Sequence, residues 1–301
     1  MIAPGTAQGV RVRAEGASSH SDVSFNLWQR SRQIIIDITG IAVAAVMLFP
    51  IYWMVATAFK PGRDILTLTP KWFPAPFTLE NFQNAITRPF FIDDVRNSLV
   101  IVAVMLALGL TIAFLAAVGT ARFGFKGRTA YLVMIIAVQM VPLNALIIPL
   151  YLMLDGVGQV DALPGVIAVY LAAVLPFMVW TLRGFVANIP AELEESAMID
   201  GCTRVGAFWR ITFPLVGPGL VATAIFGFIQ AWNEYIIAYV LLSSPHNQTL
   251  TVWLASFTTN HGPQWGPLMA GATLTGLPVV AFFLVLQRYL TAGLTAGAVK
   301  G

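Results

Sequence analysis

The chain has 301 residues, 57% of them hydrophobic and 10% charged, against about 25% charged in soluble domains, so it belongs in a bilayer. The net charge of +3 comes with no basic, aromatic-interleaved patch, which argues against a nucleic-acid partner. Cys202 is the only cysteine and His20, His246 and His261 are scattered, which excludes an internal disulfide and leaves no zinc-ligand pattern.

Residues 1–32 are polar and rich in Gly, Ser and Arg, without the apolar core and cleavage site of a signal peptide. They read as a disordered cytoplasmic leader ahead of a transmembrane domain over 33–301. A spanning helix needs about 20 mostly apolar residues. Six stretches qualify: Ile34–Phe59, Ser98–Thr120, Ala130–Leu152, Pro164–Leu182, Gly217–Leu242 and Gly266–Leu290. The expected fold class is therefore an all-α membrane protein with six transmembrane helices.

Lysines and arginines orient the spans. Of 17, five (Lys60, Arg63, Lys71, Arg88 and Arg96) lie between spans one and two, and the rest fall at the termini or on the loops of the other side. Both termini and the loop after span four are expected in the cytoplasm. The segment from Lys60 to Asn97 is too polar to be embedded. Its "WFPAPFTLENF" (72–82) reads as a turn and then a short helix capped by Thr78, serving as a plain connector or as a docking surface.

The loop at 184–216 contains "PAELEESAMIDGCTRVGAFWRITFP" (190–214). Asn188 is a capping residue and Pro190 suits a first helical turn. Glu192, Glu194 and Glu195 sit near the positive end of the helix dipole, and Gly201 can end the helix in a left-handed conformation. Thr203 can cap a second short helix carrying Phe208 and Ile211, which Pro214 limits. Leu193, Ala197 and Gly201 share one small apolar face. A lipid-surface helix is the alternative, but such helices are basic whereas this one is acidic, which favours docking to a protein.

"EESAMIDGC" (194–202), followed by Phe208, Ile211 and Pro214, resembles the EAA loop of ABC-importer permeases: Glu-Ala-Ala, two residues, Asp-Gly-Ala, then a downstream Ile and Pro. Glu195, Ala197, Asp200, Gly201, Ile211 and Pro214 match, while Ser196 and Cys202 replace alanines with small residues. "FPIYWMVATAFKP" (49–61), "FTLENF" (77–82), "NSLV" (97–100), "ARFGFKGR" (121–128), "MVPLNALIIPLYLML" (140–154), "IQAWNEYIIA" (229–238) and "QRYLTAGLTAGAVKG" (287–301) are similar, in order, to the maltose-permease-like second permease of carbohydrate importers. The resemblance implies a type I ABC importer permease fold. Its implied partners are a second permease subunit, an ATP-binding cassette ATPase dimer that holds ATP and Mg, and an extracytoplasmic sugar-binding protein. It makes the 190–214 loop the coupling helix and gives the C-terminal tail a contact with the ATPase.

Polar residues within spans are functional suspects because they are costly there. Span five carries Gln230, Trp232, Asn233 and Glu234, with Gln230 and Glu234 at i, i+4. Span three carries Gln139 and Asn144 around Pro142, whose missing N–H invites a kink, and span six Thr273, Thr275 and Pro278. They line a sugar path, with amides and carboxylate for hydroxyls and Trp232 for a ring face, or they bond helix to helix. No G-x-x-x-x-G-K-[ST] phosphate loop, H-E-x-x-H motif or G-x-S-x-G elbow is present, so no bond-breaking chemistry and no cofactor are expected of this chain. The expected cargo is a sugar, or glycerol-3-phosphate by the same mechanism. The competing class is an ion-coupled secondary transporter, for which Glu234 is the one clear mid-span charge.

Overall fold

The computed structural model describes residues 19–297, with side chains from 32 to 289. Contacts divide it into two units, one ending at Trp53 and one beginning at Met54. Helix α1 (Ser19–Ala58) supplies the described part of the first unit and continues into the second. The leader expected to be unstructured up to residue 32 is thus helical from Ser19, because neither Gly nor Pro interrupts the chain until Gly40. Residues 1–18 lie outside the described residues.

The second unit continues with α2 (Glu80–Ile86), α3 (Phe91–Arg122), α4 (Arg128–Gln139), α5 (Ile147–Asp155), α6 (Leu163–Ala187), α7 (Ala191–Ile199), α8 (Arg204–Ala207), α9 (Phe213–Trp232), α10 (Ile236–Leu241), α11 (Leu250–Ala255) and α12 (Trp265–Gly297). A two-residue β hairpin, Thr258–Thr259 with Gly262–Pro263, joins α11 to α12. Among the described residues five helices are long and apolar enough to cross a bilayer, and the pair α4 and α5 adds a sixth crossing if its two halves count as one.

Helices α3 and α6 form the centre. Ile101, Met105, Gly109, Ala113 and Ala117 are buried at intervals of four on α3, and Val166, Tyr170, Val174, Met178, Leu182 and Val186 repeat the interval on α6. Matching rows of this kind pack as ridges in grooves. The opposite side of α3 exposes Leu99, Leu108, Ile112 and Leu115. A helix apolar on both sides is at home in hydrocarbon. Helix α9 closes on the pair at Gly219, where an added Cβ would lie 2.4 Å from Cγ and 2.8 Å from Cβ of Phe185. The Phe185 Cβ cannot swing aside, so Gly219→Ala must part α6 from α9. It is expected to cost about 1–3 kcal/mol, read as a lower melting temperature of the purified protein.

Two expected spans are not continuous. Span three breaks between Gln139 and Leu143, and its halves are bent by 86°. Pro142 lacks the N–H that would continue the ladder and disfavours helical backbone at Val141, which is more than a kink. Span five ends at Trp232, and α10 starts only at Ile236. Pro214, expected to limit the second loop helix, stops nothing. Residues 204–232 form one helix through a π turn at Phe208–Thr212, and Pro214 falls in the first turn of α9, where a missing N–H is tolerated.

Candidate functional site

The loop at 188–203 joins α6 to the 204–232 helix at the end of the bundle where α3 also finishes. Helix α7 follows Pro190, whose extended backbone leads the chain in. Asn188, expected to cap α7, instead sits at the end of α6 with its backbone N–H on Gly184 O, because Pro190 already sets the helix start. Gly201 adopts φ +89°, and behind it the Cys202 N–H reaches Ala197 O at 2.9 Å, which terminates α7 as expected. The Thr203 hydroxyl accepts from the Gly206 N–H at 3.0 Å and caps α8.

The expected loop residues divide by exposure. Glu195, Ser196, Asp200, Gly201 and Pro214 are exposed, whereas Ala197, Phe208 and Ile211 are half-buried. Phe208 packs its ring on Phe114 of α3 at 5.4 Å and so faces the bundle. The largest apolar exposures here are Ile199 at 86% and Val205 at 67%. They flank the turn in sequence rather than lie on the Leu193–Ala197–Gly201 face, and a helical-wheel reading of α7 alone does not include Val205. Glu194, expected merely to favour the helix dipole, is held inside. Its Oε1 accepts from Arg122 Nε at 2.9 Å and from the Thr212 hydroxyl at 2.5 Å.

Among the expected path residues, the structure brings two together. Gln139 and Gln230 line one cavity of about 490 Å³, walled by Pro142, Leu146, Val169 and Pro176. That volume is within the ~300–1,000 Å³ usual for small-ligand sites, and two amides in an apolar wall can each donate to and accept from hydroxyls. Asn144 is exposed on the connector between α4 and α5 and is not in the wall.

The other three path residues have structural partners. Trp232 is buried, stacks on Phe228 and donates its indole N–H to Thr275 O at 3.1 Å, so it presents no ring face to a sugar. Asn233 donates to Ile229 O at 2.9 Å and ends its own helix. Glu234 is not on a face shared with Gln230. It lies in the break, where its carboxylate accepts from the N–H groups of Ile237 at 2.9 Å and Ala238 at 3.1 Å and from the Tyr170 hydroxyl at 2.8 Å. A carboxylate that satisfies the free donors of α10 competes with continuation of α9, which is why span five breaks here. Thr273 and Thr275 bond back to Met269 O and Ala272 O on their own helix.

At the opposite end of the bundle lies a second tie, which no local pattern in the sequence marks. Asp161, at φ +57°, accepts from the backbone N–H groups of Ser243 and Ser244 at 2.9 Å each and from the Ser244 hydroxyl, clasping the α5–α6 turn to the segment after α10. Partial burial pushes its carboxyl up, but the Ser244, Asn247 and Ser243 bonds outweigh that and hold it below the usual carboxylate range. A depressed folded pKa gives stability that is complete above the unfolded value of about 3.9 and lost as pH falls through the folded one. Asp161→Asn keeps the left-handed backbone. Its melting temperature should therefore fall below that of the wild type above pH 4, with the gap closing on further acidification. Nearby, Asn97 donates to His246 O and Gln248 O, and Arg88 donates to Ser256 O and Gln264 while lying over the Phe257 ring. On the connector from α1, the Thr78 hydroxyl accepts from the Glu80 N–H at the start of α2, one position earlier than expected, because Leu79 occupies the cap position itself.

A family model described as "Binding-protein-dependent transport system inner membrane component" matches residues 108–296. The chain is 43% identical to the diacetylchitobiose uptake system permease protein DasC of Streptomyces coelicolor, over 88% of this chain and 96% of that protein. It is 32% identical to the trehalose/maltose transport system permease protein MalG of Thermococcus litoralis, over 90% and 98%. Among solved structures it is similar to a chain of a bacterial ABC transporter involved in import of the acidic polysaccharide alginate, with a TM-score of 0.73 at 20% identity, covering 86% of this chain and 96% of that one.

Proposed function

The chain belongs to the family of binding-protein-dependent transport system inner membrane components, and on that premise we propose that it is one permease subunit of an ATP-driven importer of oligosaccharides. The observation that carries this reading is the α7–Gly201–α8 corner. It is an exposed acidic loop whose turn is flanked by Ile199 and Val205, and it is built directly onto a spanning helix. Such a corner suits a groove in another protein.

In this reading both termini and the corner face the cytoplasm, where most lysines and arginines fall. A separate ATPase dimer binds ATP and Mg and moves the corner. A second permease completes the pathway, and an extracytoplasmic binding protein delivers sugar. The Gln139–Gln230 cavity is this subunit's share of the path, with amides for hydroxyls and apolar walls for ring carbons. Trp232, Asn233 and Glu234 hold the helices beside it. The commitment of Glu234 to Tyr170 and α10 also tells against an ion-coupled carrier, which needs a carboxylate poised to exchange its ion. Diacetylchitobiose and trehalose or maltose, the cargoes for which the relatives are named, point to a neutral oligosaccharide rather than a phosphorylated polyol.

The test is the assembled complex in proteoliposomes. Its ATPase activity should rise several-fold when sugar-loaded binding protein is added, and labelled sugar should accumulate. An ATPase indifferent to the binding protein, or uptake driven by an ion gradient without ATP, removes the reading.

A further inference from the structure

The corner must be fastened to the bundle if its motion is to reach the membrane. Helix α7 has no buried residue of its own. Between it and the end of α3 lies a groove of about 470 Å³, bordered by Leu115, Val118, Met198 and Trp209. Apolar packing beneath α7 is therefore thin, and a short helix over a hollow can rock.

One side chain bridges it. Glu194 is 18% exposed, and its Oε1 receives two donors from two different elements. Arg122, 14% exposed, is the last residue of α3, and Thr212, fully buried, is the last residue of the π turn that feeds α9. A threonine hydroxyl within a helix commonly bonds back to a carbonyl of the preceding turn, as Thr120 and Thr223 do here. Thr212 instead points its hydroxyl at the carboxylate. A charged acceptor shared by a guanidinium and a hydroxyl is short and directional, and a pair this far buried is screened less than one on the surface.

We propose that Glu194 is a positioning residue for transport: through Arg122 and Thr212 it makes α7 move as one body with α3 and α9. This rests on the coupling role proposed above. Glu195, exposed at the next position, is free to meet the partner while Glu194 faces inward. Adjacent glutamates in one motif thus do opposite work.

The experiment measures uptake and ATP hydrolysis together in proteoliposomes of the full complex with its binding protein. Glu194→Ala should continue to hydrolyse ATP while moving about tenfold less sugar per ATP. The reversed pair Glu194→Arg with Arg122→Glu should recover part of that ratio, since the Thr212 hydroxyl can accept as well as donate. A purely structural role lowers both rates in parallel and leaves the ratio unchanged, and that result overturns the proposal. If Glu194→Ala does not assemble, Thr212→Val decides. It is nearly isosteric and removes one donor, so an unchanged ratio refutes the shared anchor and a ratio lowered about threefold supports it. Failure of the coupling reading itself is distinguishable, because the wild type would then show no binding-protein-stimulated ATPase at all.

Discussion

Glu234→Ala is expected to destabilise the purified complex by about 2–4 kcal/mol, whereas Glu234→Gln should lose only a fraction of that. Alanine removes the cap of α10 and leaves the buried Tyr170 hydroxyl and two backbone N–H groups without an acceptor. Glutamine keeps a carbonyl oxygen for the backbone and can donate its NH2 group to the tyrosine oxygen. Thermal unfolding in detergent separates the pair. The alternative, in which Glu234 binds sugar in the path, makes the opposite prediction: both variants keep the wild-type melting temperature and both weaken uptake through KM. For Gln139 and Gln230, which line the cavity, that second pattern is the expected one.

The next largest effect is expected at Gly201. Nothing lies within 4 Å of a Cβ built there, so a side chain clashes with no neighbour, but φ is +89°. Gly201→Val therefore carries a purely conformational penalty. Left-handed backbone costs an ordinary residue roughly 1–2 kcal/mol, and a β-branched one more. The turn relaxes to negative φ, and Ile199 and Val205 no longer present the same corner. Sugar uptake should fall at least tenfold, while Gly201→Asn, which tolerates the conformation, should fall much less. Equal uptake by all three proteins would remove the turn from the coupling mechanism. Any loss of stability should stay within that conformational penalty, since α7 buries no residue and the corner adds little to the core.

What the sequence disclosed follows the range of the interactions. Long apolar runs mark spans whatever they pack against, and the Gly201 turn and Thr203 cap are local events readable within a few residues. The breaks at Pro142 and at Asn233–Tyr235 were half legible. Pro142 was seen as a kink, but a side chain such as Glu234 that prefers capping to continuing a helix does so only because Tyr170, 64 positions away, completes its shell. Polar residues stand out in apolar runs of the sequence, yet which of them face open space is decided by helix rotation and by those breaks. Hence Gln139 and Gln230 share a cavity while Trp232 turns to α12. Glu194 with Arg122 and Asp161 with Ser244 join residues far apart in the chain, and no local pattern marks such pairs.

The helix of 29 residues from Arg204 to Trp232 begins at the corner and carries Gln230 in its last turn. At 1.5 Å per residue it is about 43 Å long. In the proposed importer it is a pushrod that carries a displacement of the corner toward the cavity. Its irregular points are the π turn at Phe208–Thr212, close to the corner, and the break beyond Trp232. In the proposed importer a displacement at the corner should therefore reach the cavity through this one element: reporters placed at the two ends should relax together, with a single time constant.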